Sequence, residues 1–205
     1  MTYDAEFFEM TAEPSLVAAK LILPRILQET KARTVIDVGC GVGAWASVAK
    51  EHGRTTLAVD GFAAENDVLV TEFERRDLTE GIDCSGYDLA ICLEVAEHLP
   101  EDCAEQLVEG LCGAQYILFS AAIPDQRGVN HVNEQWPSWW ARLFKKHEYY
   151  GTNDIRWRHW KNDQIEGYYR QNLIVFAKPL DLARADYRQG LFDIVHPHLW
   201  EYFHR

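Results

Sequence analysis

Residues 35–45 read Val35-Ile36-Asp37-Val38-Gly39-Cys40-Gly41-Val42-Gly43-Ala44-Trp45. A β-branched run from Thr34 to Val38 stops abruptly at Gly39, and a helical pattern begins directly after Gly43 and runs to His52 before Gly53. Strand, glycine turn and helix in immediate succession open a parallel α/β unit. Glycines at such a turn let the backbone bend tightly and approach a ligand with no Cβ in the way. The helix N-terminus behind them points unpaired N–H groups at whatever occupies the crevice. The next strand, Thr55 to Val59, runs into Asp60-Gly61. A carboxylate about 20 residues after the turn is where the two hydroxyls of a ribose find their acceptor. The segment therefore predicts a nucleoside ligand.

Outward from that turn the same alternation continues. Leu16, Val17, Leu21, Leu23, Ile26 and Leu27 mark a helix over Pro14 to Gln28. Val68 to Phe73 reads as a strand or its lead-in, running on to Asp77. Tyr87 to Leu93 is almost continuously apolar, as a strand buried on both faces must be. A helix over Pro100 to Leu111 follows, then a strand over Tyr116 to Ser120. A Trp-rich helix over Trp136 to Lys146 ends in Lys145, Lys146 and His147, the end where positive charge is favoured. Two late strands, Glu148 to Ile155 and Asn172 to Ala177, form an antiparallel pair at the sheet edge. The expectation is an α/β fold: a doubly wound, mostly parallel seven-stranded sheet with an antiparallel edge strand and helices on both faces.

Length and composition bound the reading. The 205 residues suit one domain, and no repeat or linker divides them. Residues 1–30 are expected to form an N-terminal helical lid, with Tyr3, Phe7 and Phe8 as aromatic closures. Residues 180–205 are expected to form a helical extension. Its Phe192, Ile194, Val195, Leu199, Trp200, Tyr202 and Phe203 are too apolar for a free tail. They pack back on the domain or on a partner subunit, giving a monomer or homodimer. A net charge of -12 argues against a general grip on nucleic acid. No apolar run approaches the ~20 residues of a membrane span, and the acidic N-terminus is no secretory signal. The five cysteines are odd in number and scattered, which fits reduced thiols in the cytoplasm and neither a disulfide frame nor a zinc site.

Two nucleoside classes compete for the glycine turn. Gly39-x-Gly41-x-x-Ala44 also satisfies the dinucleotide fingerprint of a nicotinamide-dependent oxidoreductase. Asp37, inside the strand, favours the other class, because an anion there repels a diphosphate but pairs with the ammonium of an amino-acid moiety. A non-catalytic nucleoside-binding module remains a further alternative.

Asp37-x-Gly39-x-Gly41-x-Gly43 resembles the first motif of class I S-adenosylmethionine-dependent methyltransferases, and Tyr87 to Pro100, YDLAICLEVAEHLP, resembles their fourth-strand motif. The opening YDAEFF, the LAVDG turn, FSAAIPDQRGVNHVNEQWPSWW and YYRQN together resemble a bacterial subgroup of small methyltransferases often encoded among glycan or natural-product biosynthesis genes. The resemblance implies a Rossmann-like fold and S-adenosylmethionine as cofactor, released as S-adenosylhomocysteine. It implies that Asp37 contacts the methionine amino group, that the backbone from Gly39 through Cys40 and Gly41 to Gly43 lies beneath the cofactor, and that Trp45 is among the cofactor-binding residues. Asp60 and Gly61 then hold the ribose, Asp77 and Leu78 flank the adenine, and Leu93 and Glu94 lie beside the methionine and sulfonium. One departure is visible: PDQRG stands at 124–128 where the subgroup has a PGQGG-type loop, so Asp125 and Arg127 bear on acceptor choice.

Methyl transfer to a hydroxyl or amine needs alignment and a group to take the proton. His131 is the candidate base, with Glu134 orienting it, and His98 beside Glu97 is a second catalytic candidate. Asn133, Trp136, Tyr169 and Asn172 are candidate acceptor-binding residues. The cluster Arg156-Trp157-Arg158-His159-Trp160-Lys161 suits an anionic acceptor through Arg156 and Arg158, or is a solvated hairpin connection. His131 with Glu134 alone is too sparse for a metal site, and none is expected. The expected activity is O-methylation of a sugar, nucleotide-sugar or related metabolite, with N-methylation as the alternative.

Overall fold

The computed structural model describes residues 5–63, 68–70, 72–185 and 193–203, and of residues 5–10 and 202–203 the backbone alone. Tyr3 and Phe192 lie outside the described residues, as do the side chains of Phe7, Phe8, Tyr202 and Phe203. In chain order the elements are α1 (Ala5–Thr30), β1 (Thr34–Val38), α2 (Ala44–Glu51), β2 (Thr55–Asp60), β3 (Phe73–Arg75), β4 (Leu89–Leu93), α3 (Ala104–Leu111) and β5 (Tyr116–Ser120). There follow α4 (Pro137–Lys146), β6 (Tyr150–Thr152), α5 (Asp154–His159), α6 (Gly167–Asn172), β7 (Ile174–Ala177), α7 (Pro179–Arg184) and α8 (Pro197–Phe203). Short 3-10 turns occupy Leu78–Glu80, Ala96–His98 and Glu101–Cys103.

The strands form one sheet in the order β3-β2-β1-β4-β5-β7-β6. The first five pair in parallel, and β7 runs antiparallel to both β5 and β6, one place in from the edge. Alternate side chains of each strand enter different cores, as the period of two requires. Val35, Leu89, Ile91, Leu93, Leu118 and Val175 meet α1 and α2 on one face. Ile36, Val38, Ala90, Cys92, Ile117 and Phe119 meet α3 and α4 on the other. Trp140 belongs to this second core, where Phe119 contacts Trp140, Phe144 and Phe176 edge-on or tilted. These two buried layers explain why the strands are apolar almost throughout.

Three boundaries differ from the sequence reading. Helix α1 starts at Ala5 and runs through Pro14, because Ala5, Glu6, Glu9, Met10, Ala12 and Glu13 are strong helix formers. The strand expected over Val68 to Phe73 shrinks to Phe73–Arg75, because Val68–Val70 covers the glycine turn instead: Leu69 N donates to Val42 O at 2.8 Å. The strand expected to reach Ile155 ends at Thr152, whose hydroxyl accepts from Asp154 N at 3.2 Å and starts α5. The basic cluster is thus mostly helix and not a hairpin connection.

Candidate active site

The site is built on the carboxyl ends of β1, β2, β4 and β5. Gly39, Gly41 and Gly43 hold φ of 71°, 54° and 73°, left-handed values that favour glycine. Gly39 allows no alternative, since a Cβ there would lie 2.4 Å from Val95 Cγ2. Gly39 N and Cys40 N both donate to Val59 O, at 2.8 and 3.0 Å, tying the turn to β2. Asp60 completes the clasp: its Oδ2 accepts from Gly41 N at 2.9 Å, and its Oδ1 accepts from Phe62 N and Ala63 N at 2.7 and 2.8 Å. Arg75 fastens the same loop by donating to Gly61 O and Ala63 O. Asp37 lies buried beneath, its Oδ2 accepting from Ala46 N at 3.0 Å in the first turn of α2. Burial, reinforced by the Asp60 charge and opposed by that hydrogen bond, pushes its carboxyl up to about 7.

A cavity of about 400 Å³ opens above this clasp. Of the expected cofactor residues, Gly39, Asp60, Gly61, Asp77, Leu78 and Glu94 line it. Asp77 is fixed by accepting from Thr79 N and Thr79 Oγ1 at 2.9 and 2.7 Å, and these bonds hold its carboxyl below the usual range. Asp37, Cys40, Gly41, Gly43 and Leu93 lie behind the lining. Cys40 packs with Ala46, Ala58 and Val70. Trp45 corrects the expectation: it lies in the α1–α2 core, edge-on to Tyr169 at 5.6 Å. Phe62, Thr79, Val95, Leu99, Asn130 and Val132 also line the cavity and were not singled out in the sequence, since four are apolar and Thr79 and Asn130 are single polar loop residues with no charge or spacing to mark them.

The second half of the site is the 121–136 loop folded against the segment after β4. Glu94, at the strand end, takes a left-handed φ of 54°. Its carboxylate accepts from Asn172 Nδ2 at 3.1 Å and Gln126 Nε2 at 3.3 Å, and Asn172 Nδ2 also donates to Gln126 Oε1 at 3.0 Å. Burial raises the Glu94 carboxyl; the Asn172, Ser120 and Gln126 bonds and the His131 ring oppose it. Glu97 is fully buried, with Oε1 accepting from Ala122 N at 3.1 Å and its carbonyl accepting from Val132 N and Asn133 N. Burial, then the Glu94 charge, holds its carboxyl well above the carboxylate range. His98 lines the cavity, and burial, with the neighbouring His131, pulls its ring down to about 4. The His131 ring stands edge-on to His98, centroids 4.9 Å apart. Glu134 bridges His131 Nδ1 at 2.8 Å and Asp125 N at 2.9 Å, the orienting contact expected of it.

Glu97, His98 and His131 each present a ligand atom within 4.8 Å of the other two. His131 meets Glu97 and His98, which the fold brings from a second loop, a grouping beyond the His131 and Glu134 pair considered in the sequence. Asn172 joins the site through Glu94, whereas Tyr169 is buried and bonded to Ser15 Oγ at 3.1 Å. Asn133 is buried with its amide oxygen accepting from Gln135, and Trp136 is exposed before α4. Arg156 and Arg158 do not line the cavity: Arg156 is fully buried in α5, and Arg158 pairs with Glu29 of α1 at 2.7 Å.

A family model described as a methyltransferase domain matches residues 13–163. The chain is similar to the ubiquinone biosynthesis O-methyltransferase of Coxiella burnetii, 28% identical over 81 residues, 35% of each protein. The matched region thus spans about a third of the length of that curated relative. Among solved structures it is similar to a SAM-dependent methyltransferase from Archaeoglobus fulgidus, with TM-score 0.61, 17% identity and coverage of 85% of this chain and 100% of that one. It is also similar to the mitomycin 7-O-methyltransferase MmcR, with TM-score 0.59, 14% identity and coverage of 84% and 56%. These two likenesses establish the fold.

Proposed function

The chain belongs to the methyltransferase domain family and is an S-adenosylmethionine-dependent methyltransferase, and from that premise we propose that it methylates a hydroxyl of a small acceptor such as a sugar, nucleotide-sugar or related metabolite. The observation that carries the reading is the single cavity edge on which Asp60 and Gly39 adjoin Glu94 and His98. The residues fit the cofactor. Its volume of about 400 Å³ is that of a small-ligand cavity. Asp60, with three backbone N–H groups already fixing it, retains about one further lone-pair site, on Oδ2, for a ribose hydroxyl. Phe62, Leu78 and Leu99 offer apolar faces for a purine. Asp37 and Glu94 supply anions for an ammonium, and the buried Asn172 Oδ1, which has no partner among the described residues, supplies a further acceptor.

S-adenosylmethionine supplies a methyl group on a sulfonium, already activated for in-line displacement, and leaves as S-adenosylhomocysteine. The chain's task is alignment, and a well-held pair of reactants gains up to ~7–11 kcal/mol. Glu94, pinned by Asn172 and Gln126, fixes the boundary between cofactor and acceptor. His131 is the side chain through which the acceptor loses its proton; Glu134 occupies its Nδ1 and leaves Nε2 to act. That the ubiquinone biosynthesis enzyme and MmcR are O-methyltransferases supports oxygen over nitrogen as the methylated atom.

The test is a labelled-donor assay against sugars, nucleotide-sugars and aromatic diols, with products identified by mass and fragmentation. O-methyl products are expected, and N-methyl products alone would overturn the hydroxyl assignment. In parallel, Asp60→Ala is expected to weaken calorimetric affinity for the donor by more than about tenfold, one such factor being roughly 1.4 kcal/mol. Unchanged affinity would remove Asp60 from the ribose site.

A further inference from the structure

We propose that Glu97, His98 and His131 hold a divalent transition-metal cation and that the acceptor hydroxyl binds to it. This deepens the hydroxyl-methylation reading and rests on its placing the acceptor at this edge. One ligand atom from each residue lies within 4.8 Å of the other two. Donors on one ion, at about 2.0–2.2 Å from it, stand about 3–4 Å apart, so a small adjustment closes the set. Two imidazoles and one carboxylate suit manganese, iron, cobalt or zinc better than magnesium or calcium, which prefer oxygen throughout, and three protein donors leave positions open.

A second observation points the same way. Glu97 is 0% exposed, and its Oε1 accepts from Ala122 N, but its Oε2 is buried with no partner among the described residues. Buried polar atoms in folded proteins are nearly always partnered, and an ion between Glu97 and the two rings supplies the missing partner. The surroundings are those of a supported site. Glu134 holds one nitrogen of His131, which fixes the tautomer and leaves the other for the ion. Val132 N and Asn133 N bond to the Glu97 carbonyl, so the loop bearing His131 is fastened to the residue it must meet. His98, Asn130 and Val132 line the cavity, which gives the open positions access to an acceptor.

A cation there makes a bound hydroxyl more acidic. The hydroxyl proton passes to water, the freed oxygen pair forms the C–O bond to the methyl carbon, and the C–S bond breaks with its pair going to sulfur. With Nδ1 on Glu134 and Nε2 on the ion, His131 then acts on the acceptor through the ion and does not itself take the proton.

The experiment uses the full chain without an affinity tag, stripped with chelator and titrated calorimetrically with Zn²⁺, Mn²⁺ and Mg²⁺. One equivalent of Zn²⁺ or Mn²⁺ is expected to bind, with Mg²⁺ weaker. His131→Ala, His98→Ala and the near-isosteric Glu97→Gln are each expected to weaken it by about tenfold or more. Donor affinity and circular dichroism of His131→Ala and Glu97→Gln, neither of which lines the donor cavity, are expected to stay as in the parent. With Co²⁺ as probe, visible bands are expected in the parent and lost in His131→Ala. Absence of stoichiometric binding, or binding indifferent to both His131→Ala and Glu97→Gln, overturns the site. A parent chain that binds the donor but no metal defeats this inference alone, whereas one that fails to bind the donor defeats the methyl-transfer reading.

Discussion

Asp37 ties affinity for the donor to pH through one carboxyl. Burial lifts it from the ordinary 3.8 to about 7, so in the free protein it is protonated at pH 6 and ionised at pH 8. The folded value lies above the unfolded one, so the group costs nothing below 3.8 and progressively destabilises the free fold as pH rises through 7. Pairing with an ammonium reverses this, because only the ionised form attracts it. Donor affinity should therefore tighten by up to about tenfold per unit as pH climbs toward 7, with about one proton released per donor bound at pH 6. Calorimetry in buffers of different ionisation enthalpy reads that proton directly. Asp37→Asn should bind weakly with no such slope over pH 5.5–7; a slope surviving there would assign the titration elsewhere. Two neighbouring loop residues give a second contrast. Arg127 is exposed at φ 60°, a left-handed value that favours glycine, whereas Gly128 has His131 Nε2 only 2.2 Å from where a Cβ would stand. Arg127→Gly should raise stability by about 0.5 kcal/mol, since relief of left-handed strain exceeds the added chain entropy. Gly128→Ala should displace His131 and cut turnover more than about tenfold while leaving donor affinity intact; equal turnover would show the ring free to move.

At the scale of elements, α5 shows how a basic segment can look like a ligand site and be a brace. Arg158 holds Glu29 of α1, which Arg25 also holds at 2.6 Å, so removing Arg158 leaves no stranded charge. Arg158→Ala should cost about 0.2–1 kcal/mol in denaturant melts and leave the acceptor KM unchanged. A raised KM with unaltered stability would return Arg158 to the acceptor. The strand–glycine–helix unit and the strand over Tyr116 to Ser120 were legible in the sequence because β-branched runs and glycine stops act locally. Helix α5 was not, since six residues hold too little periodicity to separate it from a strand. The site divided the same way. Asp60 was readable because its distance from the glycine turn is set by one crossover. Glu97 and His98 were readable as candidates after the fourth strand, but their meeting with His131 was not, because a 3-10 turn, helix α3, strand β5 and a long loop separate them in the chain. The full burial of Arg156 was equally hidden, charge being an unreliable guide to exposure where a helix end turns inward.

For the molecule as a whole, the cavity draws its lining from the ends of four parallel strands and from the 121–136 loop. A ligand seated there cross-links segments that are otherwise joined only through the sheet, and it has no counterpart in the unfolded chain. Binding to the folded state alone adds RT ln(1 + [L]/Kd), about 2.7 kcal/mol at a hundredfold excess over Kd. For a chain of 205 residues each kcal/mol moves the midpoint by about 2–4 °C, so S-adenosylmethionine should raise it by about 5–10 °C. Nicotinamide dinucleotides should not, because Asp37 confronts a diphosphate with a carboxylate beneath the glycine turn. The Asp60→Ala chain should lose most of the donor's shift while its ligand-free midpoint falls too, since three backbone N–H groups lose their acceptor. A dinucleotide that shifted the parent as far as the donor would mean that the clasp reads the nucleoside and not the amino acid attached to it.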